Sequence, residues 1–257
     1  MVAENFIERM TWPQVDQRIK KGVDAVMIPI GTTEQHGPHM PLDTDCFIAR
    51  SLAERAAGLA EEQGLSVLVA PTLNVTLSWY HMQFPGSIRL STTTFFEVFR
   101  EICDSLVHHG FERLVAVNGH AGNIGVLTAA LGDTTSSAIQ VEVVSYWTLV
   151  DARRMADACL SDAGGVGHAG EVETSIALAL EAGLAVNERL PAPPGRALVP
   201  GEPGGPPAGG IVRSPRPLLE SPSGVYGDPS QARPELGELV LAEASSALAR
   251  HLDRPGG

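Results

Sequence analysis

Four short apolar runs, separated by stretches of helical periodicity, restrict this chain to one class of fold. They are Asp24–Ile30 (DAVMIPI), Ser66–Pro71 (SVLVAP), Arg113–Asn118 (RLVAVN) and Ile139–Ser145 (IQVEVVS). Short, apolar and rich in β-formers, they read as buried strands. Between the first two, Cys46–Gln63 carries Phe47, Ile48, Leu52, Ala56 and Leu59 at helical spacing, with Thr44 or Asp45 placed to cap it. Thr92–His109 gathers Phe95, Phe96, Phe99, Ile102, Cys103 and Leu106 on one face, with Ser91 as its cap and Gly110 as its stop. Ile124–Leu131, Glu171–Ala182 and Leu236–His251 read as further helices. Strand–helix alternation of this kind requires crossover connections. It predicts an α/β fold with a mainly parallel sheet covered by helices on both faces.

At 257 residues the chain is long enough for a proper core. The stretch from Leu190 to Arg233 is dense in proline and glycine and interrupts the pattern. The helical periodicity after it favours a long excursion within a single domain, residues 1–257, over a linker between two. The formal charge of −12 makes a nucleic acid or an anionic membrane an unexpected partner. Cys46, Cys103 and Cys159 are odd in number and widely spaced, so neither a disulfide framework nor a thiolate zinc site is indicated. The beginning of the chain lacks a basic segment followed by an apolar run, and no segment approaches ~20 consecutive apolar residues. A cytoplasmic location is the expectation.

Side chains that bind metals collect after two of the strands. In a parallel sheet, ligands bind beyond the carboxyl ends of the strands. Asp24–Ile30 leads there into GTTEQHGPHMPLDTD, with Glu34, His36, Asp43 and Asp45, and Arg113–Asn118 leads into GHAGN, with His120. A third cluster, GVGHAGEVETS, places His168 between glycines and sets Glu171 and Glu173 at a helix start. Each residue also has a plain structural reading. Asp45 caps a helix, His39 lies on the surface, His120 hydrogen-bonds within a turn, and one of the two glutamates answers the helix dipole. Taken together, a His/Asp/Glu set without thiolates suits zinc, manganese or iron. GHAGNIG is not a dinucleotide fingerprint, the DTD at 43–45 is too short to indicate a nucleotide-sugar site, and neither HExxH nor GxSxG occurs.

These pieces, in order along the chain, resemble the creatininase (creatinine amidohydrolase) family. They are TWPQVDQRIKKG, PIGTTEQHGPHMPLDTD, FPGSI, LVAVNGHAGN, SYW, HAGEVETS and GVYGDP, spanning about residues 10 to 230. The resemblance implies a three-layer α/β/α fold, a homo-hexamer, and an amidohydrolase site with two divalent metal ions per chain. Zinc is expected, with manganese or iron at one site. By position, Glu34 and Asp45 hold one metal, and His36, Asp45 and His120 the other, with Asp45 bridging. His168 carries the proton to the leaving nitrogen of a small-molecule amide attacked by a hydroxide held between the metals. Ser78 and Trp147 lie near substrate. Where creatininase has NGHYEN, this chain has Ala121 and Gly122, so a tyrosine and a ligand glutamate are missing. That departure points away from creatinine as substrate. Glu171 is expected to fill the vacant ligand place, with Glu173 as its rival. Formamide deformylases and a peptidase acting on the mycofactocin precursor belong to the same family. A non-catalytic metal-dependent binding protein is the reading from another class.

Overall fold

The structure, a computed structural model, describes residues 5–133, 139–160, 167–180 and 221–253. Strands β1 (Ala25–Ile30), β2 (Val67–Val69), β3 (Arg113–Asn118) and β4 (Gln140–Ser145) form one parallel sheet in the order β2–β1–β3–β4. Successive strand residues point to opposite faces, and here both faces are apolar. Ala25, Met27, Val115 and Val117 enter one core, which α2 (Thr44–Glu62), α6 (Glu171–Ala179) and α7 (Pro234–Leu252) close. Val26, Ile28, Ile30, Leu114 and Ala116 enter the other, under α3 (Thr92–His108) and α4 (Ile124–Asp133). The expected three layers are therefore present. Phe95 and Phe99 of α3 are fully buried in that second core, each worth about 1.5–3 kcal/mol of transfer free energy.

Local chemistry explains most of the boundaries. Ser91 Oγ accepts from Thr94 N at 3.1 Å, and Gly110, with φ 96°, follows the end of α3. At α2 the expectation is corrected. The helix begins at Thr44, so Thr44 and Asp45 lie inside its first turn and neither caps it; Thr44 Oγ1 donates instead to Pro41 O at 2.7 Å. β2 takes only three residues of its apolar run, and Ala70 N still donates to Met27 O at 2.8 Å beyond them. Two helices went unread. α1 (Trp12–Lys21) has Pro13 in its first turn and Thr11 N–H donating to Gln14 Oε1 at 2.7 Å, and α5 (Ala152–Ala158) is capped by Asp151. Most of the Pro/Gly-rich stretch lies outside the described residues. Its last part, 221–233, is described, and Val225 and Tyr226 there are buried.

One topological feature positions the site. From β1 the chain runs outward to β2, returns to β3 on the other side of β1, and continues to β4. The direction reverses between β1 and β3, whose last residues, Ile30 and Asn118, are paired in register. The segments after Ile30 and Asn118 therefore leave the same crevice, where parallel α/β sheets bind ligands.

Candidate metal centre

The first turn of α2 is wedged against both strand ends. A Cβ on Gly31 would lie 2.3 Å from Cys46 N, and one on Gly119 would lie 2.4 Å from Asp45 O. With no side chain in the way at either position, the helix brings Asp45 directly over the crevice, 2% exposed. Glu34 and His36 arrive from the β1 side, His120 from the β3 side, and Glu173 from the start of α6.

Three donor triads result, Glu34–Asp45–His120, His36–Asp45–Glu173 and Glu34–His36–His168, with the ligand atoms of each within 4.8 Å of one another. Asp45 joins the first two, which are the candidate metal triads. His120 Nδ1 lies 3.1 Å from Asp45 Oδ2 and 3.3 Å from Glu34 Oε1. His36 Nε2 lies 3.0 Å from Asp45 Oδ1 and 3.9 Å from Glu173 Oε2. The other ring nitrogen of His36, Nδ1, is 3.1 Å from Glu34 O, so it carries the hydrogen and Nε2 is left as a ligand atom. Glu34 Oε1 and Asp45 Oδ2 are buried without a hydrogen-bond partner. Carboxylate oxygens buried with imidazole nitrogens beside them but no aligned hydrogen bond are costly in a protein interior, and divalent cations fit them. The mixed N/O donors suit zinc or manganese. Cys46 is not among them: its Sγ turns to Thr32 O at 3.4 Å, and burial pushes its thiol up, so it stays protonated.

The cluster's charges are tightly linked. Burial opposes a charge on His36, but Asp45 foremost, then Glu173 and Glu34, carry it up to about 10. Burial also opposes ionisation of Asp45, yet His36 and His120 hold its carboxyl well below the usual range. Burial pushes Glu173 up to about 7, against the pull of His36 and with the help of Asp45. Burial, then His81 and His36, hold His168 well below the ordinary histidine value.

Glu34, His36, Asp45, His120 and His168 are brought together; His168 Nδ1 stands 3.6 Å from Glu34 Oε1. Two ligand expectations change. His120 groups with Glu34 rather than with His36. Glu171 is not in the cluster, because its carboxylate accepts from Leu160 N at 2.8 Å and pairs with Arg233 Nη1 at 3.0 Å. The carboxylate at the cluster is Glu173, two residues on. Ser78 is fully buried and donates to Glu34 Oε2 at 2.7 Å, so it holds a candidate ligand in place. Trp147 is half-buried and packs against the core beneath α2 and α7. Its neighbour Tyr146, missed in the sequence, is buried close enough for Glu173 and Asp45 to raise its phenol, after burial itself. His39 is not a surface residue: it is fully buried, with Nε2 3.0 Å from Thr174 Oγ1 of α6. His81 and Gln35 were also missed. His81 stacks on His168 with ring centroids 4.3 Å apart, and Gln35 reaches both rings. The signal for His81 was its position just ahead of FPGSI.

Known proteins share this arrangement of chain. The family model Creatininase, described as creatinine amidohydrolase, matches residues 8–252. A mycofactocin precursor peptide peptidase of Mycobacterium ulcerans (strain Agy99) is 32% identical over 258 residues, covering 96% of this chain and 89% of the relative. The creatinine amidohydrolase of Pseudomonas putida is 29% identical over 201 residues, covering 72% of this chain and 75% of that protein. A crystal structure of creatinine amidohydrolase (creatininase) matches with a TM-score of 0.77 at 27% identity, over 96% of both chains. The similarity seen in the motifs thus extends across the fold and nearly the whole chain, which belongs to the creatininase (creatinine amidohydrolase) family of hydrolases.

Proposed function

We propose that this protein is a metal-dependent amidohydrolase that holds two divalent cations on adjoining triads and cleaves a C–N amide bond of a small molecule. The observation that carries the reading is Asp45, whose two oxygens face different histidines and so serve both triads. Glu34, Asp45 and His120 would hold one cation, and His36, Asp45 and Glu173 the other. Zinc and manganese are the proposed metals, supported by creatininase structures in a zinc–zinc form and a manganese form. When bound, such a pair supplies a water of lowered pKa and polarises the amide carbonyl.

The protein's own residues do the rest. An amide nitrogen departs only when protonated, and His168 is the residue placed to protonate it. It lies against His36 and His81, with ring centroids 4.5 and 4.3 Å away, so its ring is held between two others. Kept neutral by burial, it is free to take up a proton before delivering it. Ser78 fixes the second oxygen of Glu34.

A peptide bond is the second substrate reading. It is favoured because the peptidase relative covers 96% of this chain, against 72% for the creatinine amidohydrolase. The test is a panel of creatinine, N-formylbenzylamine and a free-carboxylate tetrapeptide, offered to zinc- or manganese-loaded protein. Cleavage of the tetrapeptide alone selects the second reading, and cleavage of either of the others selects the first. Two bound metals with no hydrolysis of any member would leave a non-catalytic binding protein.

A further inference from the structure

The late GVYGDP stretch, Gly224–Pro229, supplies no member of either triad, nor does Gln35, which sits between the candidate ligands Glu34 and His36. The two meet beside His168. Gln35 is 5% exposed, and backbone groups fix which way its amide faces. Gly37 N–H donates to Oε1 at 2.8 Å, so that atom must accept; Nε2 donates to Gly224 O at 2.9 Å, so that atom must donate. A flipped amide would set oxygen against oxygen and hydrogen against hydrogen.

The remaining hydrogen of Nε2 has two candidates, His81 Nδ1 at 2.9 Å and His168 Nε2 at 2.8 Å. The backbone decides between them. His168 Nε2 is also 2.7 Å from Gln35 O, a carbonyl that only accepts. If His168 Nε2 carried a lone pair, it would face that carbonyl in repulsion. Nε2 therefore carries the hydrogen and gives it to Gln35 O, and the amide's hydrogen goes to His81 Nδ1. The lone pair of His168 is then on Nδ1, the atom 3.6 Å from Glu34 Oε1. The GVYGDP loop holds the same residue a second time, since Tyr226 N donates to His168 O at 2.8 Å. Gly224, at φ 77°, is the residue this arrangement requires, because a Cβ there would come within 2.0 Å of Gln35 Oε1.

We propose that Gln35 and the Gly224–Tyr226 loop form a positioning clamp that fixes the His168 imidazole with its hydrogen on Nε2, leaving Nδ1 as the atom that exchanges a proton during the reaction. This rests on the reading of His168 as the proton carrier. Gln35 is a positioning residue: it acts through His168.

The test is solid-state 15N NMR of zinc-loaded protein labelled at its 8 histidines, with the His168 signals identified by their loss in His168→Ala. Wild-type His168 should show hydrogen on Nε2. In Gln35→Met, and separately in Gly224→Ala, zinc content should be unchanged while both tautomers become populated. For whichever of creatinine, N-formylbenzylamine or the tetrapeptide is cleaved, kcat should fall about 10–100-fold with KM within about twofold. Hydrogen on Nδ1 in the wild type overturns the proposal, as does a single Nε2–H tautomer kept in both variants. Mixed tautomers with unchanged kcat overturn the clamp's role in turnover. If His168→Ala itself keeps full turnover, the proton-carrier reading fails instead, and the tautomer result still decides the clamp.

Discussion

Replacing each of two neighbouring glutamates by glutamine should give opposite phenotypes. Glu171 is fully buried, with its carboxylate on Leu160 N and on Arg233, whose side chain is 31% exposed. Breaking a fully buried pair costs about 3–5 kcal/mol. Water can reach Arg233, and glutamine keeps one acceptor, so the cost falls to about 1–3 kcal/mol. Glu171→Gln should therefore lower the melting temperature by about 2–4 °C per kcal/mol and keep two metals per chain. Glu173 should behave in the reverse way. Zinc sites bind with about 10–16 kcal/mol shared among four ligands. Losing one charged ligand should thus weaken the second cation by about 3 kcal/mol, or about 100-fold in Kd. In the metal-free protein Glu173 is pushed up to about 7, so its charge already opposes folding above that range. Glu173→Gln should leave the metal-free melting temperature unchanged or raise it. Metal per chain by plasma mass spectrometry after desalting, with thermal melts of metal-free protein, reads both effects. A Glu171→Gln protein that loses a metal, beside a Glu173→Gln protein that keeps two, would refute the assignment.

Four further outcomes follow from the same geometry. His168→Ala should keep both metals and lose about 10²–10⁴-fold in turnover; unchanged turnover removes His168 from the reaction. Metal-free His36, carried up to about 10, holds at pH 7 a proton that a cation must displace. Zinc affinity should therefore rise about tenfold per pH unit between pH 6 and 8, with proton release visible by calorimetry in buffers of different ionisation enthalpy; a flat profile contradicts this. Gly119→Ala puts a Cβ 2.4 Å from Asp45 O, and should cost about 1–3 kcal/mol in urea unfolding and weaken both metals together. The homo-hexamer proposed from the family resemblance predicts six chains of 27.1 kDa by light scattering, with Trp12, 80% exposed in the isolated chain, protected in the assembly; a monomer would exclude it.

The strands were legible because a parallel sheet buries both faces, so AVMIPI and RLVAVN stand out as continuous apolar runs. The long helices were legible from their period. α1 was missed although Thr11 and Gln14 form a capping pair, because its apolar stripe is thin and its residues stay partly exposed. Glu171 and Glu173 could not be told apart in the sequence for a geometric reason. Residues two apart on a helix point to nearly opposite sides, so only one can face the crevice, and which one depends on the helix's rotation against its neighbours. His39 looked like a surface residue because the Thr174 hydroxyl that meets it lies 135 positions away.

The two triads are completed at different points along the chain. Glu34, Asp45 and His120 all precede β4, whereas the other set waits for Glu173 on α6. That helix meets α7 backbone to backbone: a Cβ on Gly237 would lie 2.0 Å from Ser175 O. α6 and α7 are thus a unit that would detach together, taking one ligand of a single triad with them. Two cations bound as proposed would then have different lifetimes. The one held by His36 and Glu173 would escape through a partial opening of the C-terminal helices, while the one held by Glu34 and His120 would stay until the central strands come apart.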